Sequence, residues 1–258
     1  MKFHAWGALA GGVIKESIRR KDLWVIAILS LVILLFSSAL GFFGVQGLQV
    51  FAKDLGLTLL SVLSTIMAAL ISTRLLPDEL KSKTIYPLAA RPISRFDLLF
   101  GKYLGAVFAT WVGFLLLATT TFIGLAIFKV SFEPILLQYL VFKAFGLALL
   151  CSVGMMFSLY CTTNAAATLT MVLAFGGTIL SRGLTMAYGQ SAPALQAFFK
   201  ALNAVLPQYG LFDLGGRAAN VRWSPAPMWV AAFLFGYAVV YSGFMLALGM
   251  RKFGKQAL

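Results

Sequence analysis

The side chains best suited to specific polar contacts are concentrated in one segment, residues 76–102, with the sequence LPDELKSKTIYPLAARPISRFDLLFGK. This segment separates two long apolar runs and carries acidic and basic groups together. Carboxylate and guanidinium groups form charge-assisted hydrogen bonds, which are stronger than bonds between neutral groups. We therefore expect the segment to dock onto a partner. Its charged residues are Asp78, Glu79, Lys81, Lys83, Arg91, Arg95, Asp97 and Lys102.

The rest of the sequence has no residue pattern typical of catalysis. The single histidine, His4, cannot form a metal site or a nucleophile–base pair alone, and HExxH does not occur. Gly249–Lys255 matches GxxxxGK in letters, but a phosphate-binding loop follows a strand and continues with Ser or Thr, whereas Gln256 follows here. The sequence thus predicts a chain that is not an enzyme, with no nucleotide site, metal or cofactor of its own.

Ionisable residues within the apolar runs are few, which disfavours a proton-coupled carrier. Lys143 and Arg182 come closest, and we expect both to extend towards the lipid headgroups. Cys151 and Cys161 lie in one apolar run and are interpreted as small buried hydrophobes.

The composition indicates an integral membrane protein. The 258 residues are 60% hydrophobic and 11% charged, whereas soluble domains are about half apolar and a quarter charged. The net charge of +13 lies mostly in short clusters beside apolar runs, where Lys and Arg set topology and contact anionic lipid. This distribution excludes nucleic acid as the expected partner.

The predicted fold is all-α, a single permease-like domain over residues 1–258 with six transmembrane helices. Residues 5–21 mix apolar and basic positions at helical spacing, which predicts an amphipathic interfacial helix; a charged tail that only sets topology is the alternative. Each apolar run approaches the ~20 residues needed to cross a bilayer. The predicted spans are 23–45, 55–76, 103–128, 138–161, 165–181 and 228–250.

The distribution of basic residues predicts that both termini are cytoplasmic. The N-terminal tail, segment 77–102 and the C-terminal tail hold most of the Lys and Arg, and six spans place them on one side. Segment 182–227 then lies outside. Apolar residues at helical spacing predict one or two short outer helices there, which form either a gate or a structural cap.

Within segment 77–102 the residue order predicts a helix break and a new helix start. Pro92 ends one helical stretch, because the residue before proline avoids the helical region. Ser94 can cap the next helix, with Asp97 three residues on in the place of the capping-box Glu. Arg91 and Arg95 offer contacts to acidic groups, and the alternative is that they only hold lipid phosphates.

This segment resembles the signature of ABC-2 type transporter permeases. The similar residues are an acidic residue after the second span, a Thr-containing turn, Arg-Pro-Ile-Ser-Arg, and Gly-Lys opening the third span. In this chain these are Glu79, Thr84, Arg91–Arg95 and Gly101–Lys102. Lys83 stands where family members often carry Gly. In topology the resemblance covers the whole chain.

The resemblance implies a coupling helix in segment 77–102 that seats in a groove on a separate nucleotide-binding ATPase subunit, where ATP and Mg would bind. The residues carried over for docking and coupling are Glu79, Lys83, Thr84, Arg91, Pro92, Ser94, Arg95, Asp97 and Lys102. It also implies an exporter built from two copies of this chain, or this chain and a related permease, in a bacterial cytoplasmic (inner) membrane. Charge-poor, Phe-rich spans favour an amphiphilic or lipid-linked cargo. The alternatives are a non-transporting anchor that recruits a cytoplasmic partner, and a channel or secondary carrier.

Overall fold

The computed structural model describes residues 11–12, 28, 32, 48–81, 95–127, 132–177, 179–180, 183, 186, 188, 195–200, 206–219 and 225–254. The predicted interfacial helix, 5–21, and first span, 23–45, lie outside the described residues except for isolated helical positions. The loop residues 82–94 lie outside them as well.

Every regular element in the described residues is helical, which confirms the all-α class. In chain order the described elements are α1 (Leu48–Lys81), α2 (Arg95–Ile127), α3 (Pro134–Tyr160), α4 (Thr163–Met171) with a π-helical turn (Val172–Gly176), a 3₁₀ helix (Tyr209–Phe212), α5 (Gly215–Ala219) and α6 (Met228–Phe253). Four of them, α1, α2, α3 and α6, are long and apolar enough to cross a membrane.

These four helices correspond to the predicted spans 55–76, 103–128, 138–161 and 228–250. The predicted fifth span, 165–181, overlaps α4 and its π-helical turn, an apolar helix described over Thr163–Gly176, and residues 177, 179 and 180 are helical as well. Within the polar segment 77–102, residues 77–81 continue α1 and residues 95–102 begin α2. α2 begins at the residue after Ser94, which the sequence predicted as the cap of a new helix.

The helix α3 lies at the centre of the bundle and contacts α1, α2, α4 and α6. Hydrogen bonds from the polar groups of aromatic side chains connect α3 to its neighbours. The Tyr139 hydroxyl donates to the Leu57 carbonyl of α1 at 3.1 Å, and the Trp111 indole N–H of α2 donates to the Ala144 carbonyl at 2.9 Å. Such bonds favour helix association in a membrane, where apolar contacts alone give little net driving force.

Two glycines of α3 allow other elements to approach its backbone closely. A methyl group at Gly154 would clash with the Ser72 hydroxyl of α1. One at Gly146 would lie 2.8 Å from the Phe212 Cβ of the 3₁₀ helix. Small residues at such crossings are typical of membrane helix packing. Gly146 therefore determines how deeply the segment around Phe212 enters the bundle.

Polar contacts also fix the helices at the end of the bundle where α3 begins. Lys53 lies in the first turns of α1, and its ammonium is buried 3.4 Å from the Glu133 carboxylate. Gln138 holds the chain entering α6 through two 2.8 Å hydrogen bonds with the backbone of Ala226. α1, α3 and α6 are thus connected at this end.

Candidate functional site

A cavity of about 410 Å³ lies between α1, α3, the π-helical turn and the segment 209–216. Its polar wall comprises Asp54, Thr58, Ser61, Thr65, Lys143 and Asp213. Apolar residues form the rest of the lining, among them Leu147, Leu150, Ala174, Phe175 and Ile179. Ligand pockets typically enclose about 300–1,000 Å³ and combine apolar walls with a few placed polar groups.

The polar centre of the cavity is a network of three side chains from different elements. The Lys143 ammonium donates to the Ser61 hydroxyl at 2.6 Å and lies 3.4 Å from the Asp213 carboxylate. The Ser61 hydroxyl donates to the same carboxylate oxygen at 2.5 Å. The Gly215 amide donates to the other carboxylate oxygen at 3.0 Å. Asp213 is therefore held by one charged and two neutral donors.

The sequence predicted that the Lys143 side chain extends towards the lipid headgroups. In the structure this side chain instead stays within the helix bundle. It is 10% exposed and bonds within the bundle, because Ser61 and Asp213 offer it oxygen atoms at the depth where it emerges from α3. Lys143 is the tenth residue of α3, about 14 Å along the helix axis from its start. A buried ammonium needs an anionic or polar partner, since leaving it unpaired in low dielectric is costly.

Asp213 is ionised in this arrangement. Partial burial raises the pKa of its carboxyl group, but the Lys143 ammonium and the donors from Ser61 and Gly215 outweigh that effect, so the pKa lies below its ordinary value. Asp213 is therefore the anionic member of the network.

A column of polar residues leads along α1 into the cavity. Asp54, Thr58, Ser61 and Thr65 are spaced four, three and four residues apart, which places them on one helix face. Tyr209 also lines the cavity; its hydroxyl is buried and has no hydrogen-bond partner among the described residues. Burial raises the pKa of Tyr209 well above its ordinary value, so its hydroxyl keeps its proton. The π-helical turn, a type of irregularity frequent at functional sites, forms part of the same wall.

Of the residues predicted to dock onto a partner, the structure describes four, at the end of α1 away from Asp54 and in the first turns of α2. Glu79 belongs to the last turns of α1, while Lys83, Thr84, Arg91, Pro92 and Ser94 lie outside the described residues. Asp97 and Lys102 are buried in α2, at 9% and 4% exposure. These two side chains therefore make their contacts within this chain. Their docking role stays a prediction.

Arg95 is exposed and forms contacts that the sequence gave no signal for. Its guanidinium donates to the carbonyl oxygens of Phe253 and Gly254 at 3.1 and 2.9 Å. Those carbonyls end α6, where the helix dipole favours a cation. Arg95 thus connects the start of α2 to the end of α6.

A sequence profile described as ABC-2 family transporter protein matches residues 17–191, more than half of the chain. The chain belongs to the ABC-2 family of transporter proteins. Among curated proteins none matches the sequence. The match confirms the family expected from the polar segment, and with it a transmembrane component that is not itself the ATPase.

The matched residues of this ABC-2 transporter include α1–α4 and the loop 82–94. Asp213 lies outside them, so its pairing with Lys143 joins the matched region to the segment that follows it. Sequence reasoning placed Asp213 in an outer loop and missed the cavity. The sequence signal that could have indicated the cavity is the helical spacing of the polar residues between positions 54 and 65. In the described part of the chain no cluster of His, Cys, Asp and Glu could hold a metal ion.

Proposed function

We propose that this chain is the transmembrane permease subunit of an ATP-binding cassette exporter, which moves an amphiphilic or lipid-linked cargo with ATP hydrolysed by a separate nucleotide-binding subunit. Membership of the ABC-2 transporter family supports this function. Four long apolar helices support the membrane location. The cytoplasmic side of the bundle would be the end that carries residues 79–97.

The observation that carries the proposal is the connection of three long helices at that end. α1 has 34 residues and α2 has 33, so both extend beyond the ~20 residues that cross a bilayer. The loop 82–94 joins them directly. Arg95, at the first position of α2, binds the end of α6. A partner that pushed on this loop would therefore act on α1, α2 and α6 together.

Pro77 supplies a weak point between the span and the loop. It lies within α1 and lacks a backbone N–H, so the carbonyl of Thr73 loses its usual helical partner. A helix that lacks one bond at this position bends there more easily than elsewhere. We assign this position as the joint at which the last turn of α1 adjusts to a docked partner, while the helix before Pro77 moves as one rigid unit.

The docking surface proposed here comprises Glu79, Lys83, Thr84, Arg91, Pro92 and Ser94, together with the start of α2. Phe96 is 53% exposed and stacks on Phe100 with ring centroids 5.8 Å apart, so it offers an apolar contact beside the charged groups. Aromatic side chains with arginine neighbours are typical of interface centres. The buried Asp97 and Lys102 would instead position the start of α2.

The test is capture of the ATPase subunit from native membranes on the tagged chain, followed by ATP turnover of the captured complex. Arg91→Glu is expected to reduce capture at least about tenfold, since reversing a charge in a docked contact costs more than 1.4 kcal/mol. Lys252→Glu is the matched control: it makes the same charge change at an exposed position at the same end of the bundle, outside the loop.

Equal loss of capture in both variants would show a general charge effect and contradict docking through the loop. Undiminished capture with Arg91→Glu would contradict it as well. Glu79→Ala is expected to keep capture but reduce ATP turnover that depends on the chain. Arg95→Glu is a poor test, because it would also break the bonds to the end of α6.

We also propose that two copies, or this chain and a related permease, form the working transporter, as most membrane and soluble assemblies are closed and symmetric. α6 has the surface for such contacts or for lipid, because it presents a large exposed apolar face that includes Trp229, Phe233, Val240 and Phe244. Cross-linking of single cysteines on this face would measure whether the copies meet there.

A further inference from the structure

The two charged members of the cavity network differ in how firmly they are held. Lys143 is 10% exposed and projects from the middle of α3, the helix that contacts most of the others. Asp213 is 37% exposed and lies between two short helices, outside the long apolar ones. Of the pair, the carboxylate is therefore the partner that can leave, since water can solvate it and its backbone segment is short.

This difference decides which charge a ligand would carry. A cationic ligand would take Asp213 and leave the Lys143 ammonium buried without a counter-charge, which is expensive. An anionic ligand would take the place of Asp213 on Lys143, and the released carboxylate would face the cavity and solvent. The position next to Lys143 is thus an exchangeable anion position, and Asp213 occupies it in the described structure.

The surrounding walls indicate the rest of the ligand. Thr58, Ser61 and Thr65 line the cavity with hydroxyl-bearing side chains, and Ser61 bonds Lys143 directly. Phe175 and Ile179 line the same cavity and are 40% and 74% exposed. A compact polar headgroup and an apolar chain would each find matching surface.

We propose that this cavity binds the anionic headgroup of an amphiphilic molecule, whose phosphate or carboxylate replaces Asp213 on Lys143 while its alkyl chain lies along Phe175 and Ile179. The inference rests on the proposed export function, because it assigns the class of cargo. Segment 209–216 then acts as a displaceable plug, with Phe212 seated against Gly146 when no cargo is bound.

The test is equilibrium binding by calorimetry to the full-length chain in a neutral maltoside detergent. The probes are dodecyl phosphate, dodecyltrimethylammonium with the same alkyl chain, and inorganic phosphate. Wild type is expected to bind dodecyl phosphate at least about tenfold more tightly than the cationic probe, the ratio that one charge-assisted contact typically provides. Inorganic phosphate should bind more weakly than dodecyl phosphate, because it lacks the chain.

Three variants test the roles of the two charges. Asp213→Asn removes the carboxylate that competes with the ligand for Lys143. It should tighten dodecyl phosphate binding about tenfold, the same ratio as one charge-assisted contact provides. The double variant Lys143→Met/Asp213→Asn leaves no buried charge unpaired, so it should fold, and it should lose the anion preference. Lys53→Met is the matched control, since it removes another buried ammonium that does not line the cavity; its anion preference should remain.

The proposal is overturned if the cationic probe binds more tightly, if the double variant keeps the anion preference, or if Lys53→Met loses it too. Binding of inorganic phosphate as tight as that of dodecyl phosphate would overturn the amphiphile part. These results are independent of ATPase capture. If the ATPase is captured but the cavity shows no preference for anions, only this inference is contradicted. If no ATPase is captured, the proposed export function is contradicted, whatever the cavity binds.

Discussion

Replacing Asp213 with Asn should destabilise the protein much more than replacing Lys143 with Met. Asp213→Asn leaves the Lys143 ammonium at 10% exposure with Ser61 as its remaining bonded partner in the network. Coulomb's law gives about 5 kcal/mol for charges 3.4 Å apart at an effective dielectric constant of about 20. Because the Asp213 side chain is 37% exposed, solvent screening reduces the expected loss to about 2–3 kcal/mol.

Lys143→Met should cost only about 1 kcal/mol, because the carboxylate that it leaves unpaired is 37% exposed and can be solvated. The Asp213 carboxylate would keep its bonds to the Ser61 hydroxyl and the Gly215 amide and would remain partly solvated. The double variant should resemble Lys143→Met. The difference between the double variant and the sum of the single variants should then be about 2 kcal/mol, the signature of a direct pair.

The two cysteines provide the assay. Cys151 is fully buried and Cys161 is exposed, so only the first was predicted correctly as a core residue. In a Cys161→Ser background, labelling of Cys151 by a thiol-reactive fluorophore reports opening of the bundle during denaturation in mixed micelles. Additive effects of the two charge changes, or a loss below about 0.5 kcal/mol for Asp213→Asn, would refute a direct buried pair.

Three further predictions use the same assay or a proteolysis readout. Gly154→Ala should lower the free energy of unfolding by about 1–3 kcal/mol, because its methyl group would clash with the Ser72 hydroxyl of α1. Gly243→Ala is the control: its methyl group has open space, so it should be neutral or slightly stabilising. Equal effects of the two changes would contradict the close approach of α1 and α3. Arg95→Ala should expose the end of α6 to protease and cost about 1–2 kcal/mol, the value of hydrogen bonds from a charged donor, while the exposed Arg251→Ala should change neither. The pKa of the Asp213 carboxyl group lies below its ordinary 3.8, so the contribution of its ionised form to stability is complete above that pH and is lost as the pH falls through the lowered value. Wild type should therefore lose more stability than Asp213→Asn between pH 5 and 3. Parallel stability profiles of the two proteins would contradict the pairing.

The sequence predicted the long helices well because their signal is local. About 20 consecutive apolar residues are enough to identify a span, and four predicted spans correspond to long apolar helices. The ends were less predictable. α1 continues through Pro77 to Lys81, because terminal turns need no apolar residues once the helix is formed. The start of α2 at Arg95 did have a local signal, the capping-box spacing of Ser94 and Asp97.

The cavity network could not be predicted from the sequence, since its members come from distant parts of the chain. Ser61 and Lys143 are separated by 82 positions, and Lys143 and Asp213 by 70. Nothing local distinguishes a lysine that extends to the headgroups from one that bonds inside the bundle. The deciding factor is whether another element brings an anion to the same depth, and here the segment at Asp213 does so through the contact of Phe212 with Gly146.

The helix α1 connects the proposed docking end to the cavity, and this relation gives the two proposals one mechanical basis. Ser61 lies about 24 Å along the axis from Pro77, at 1.5 Å per residue. Tilting this part of α1 as a rigid unit by about 10° displaces its far end by roughly 4 Å, enough to break a hydrogen bond. Such a tilt, delivered through the loop 82–94, would separate Ser61 from Asp213 and weaken the hold on the plug. Conversely, an anion that displaced Asp213 would remove the bond that opposes the tilt. Cargo binding and ATPase movement would then favour each other, as reciprocal coupling between two sites requires.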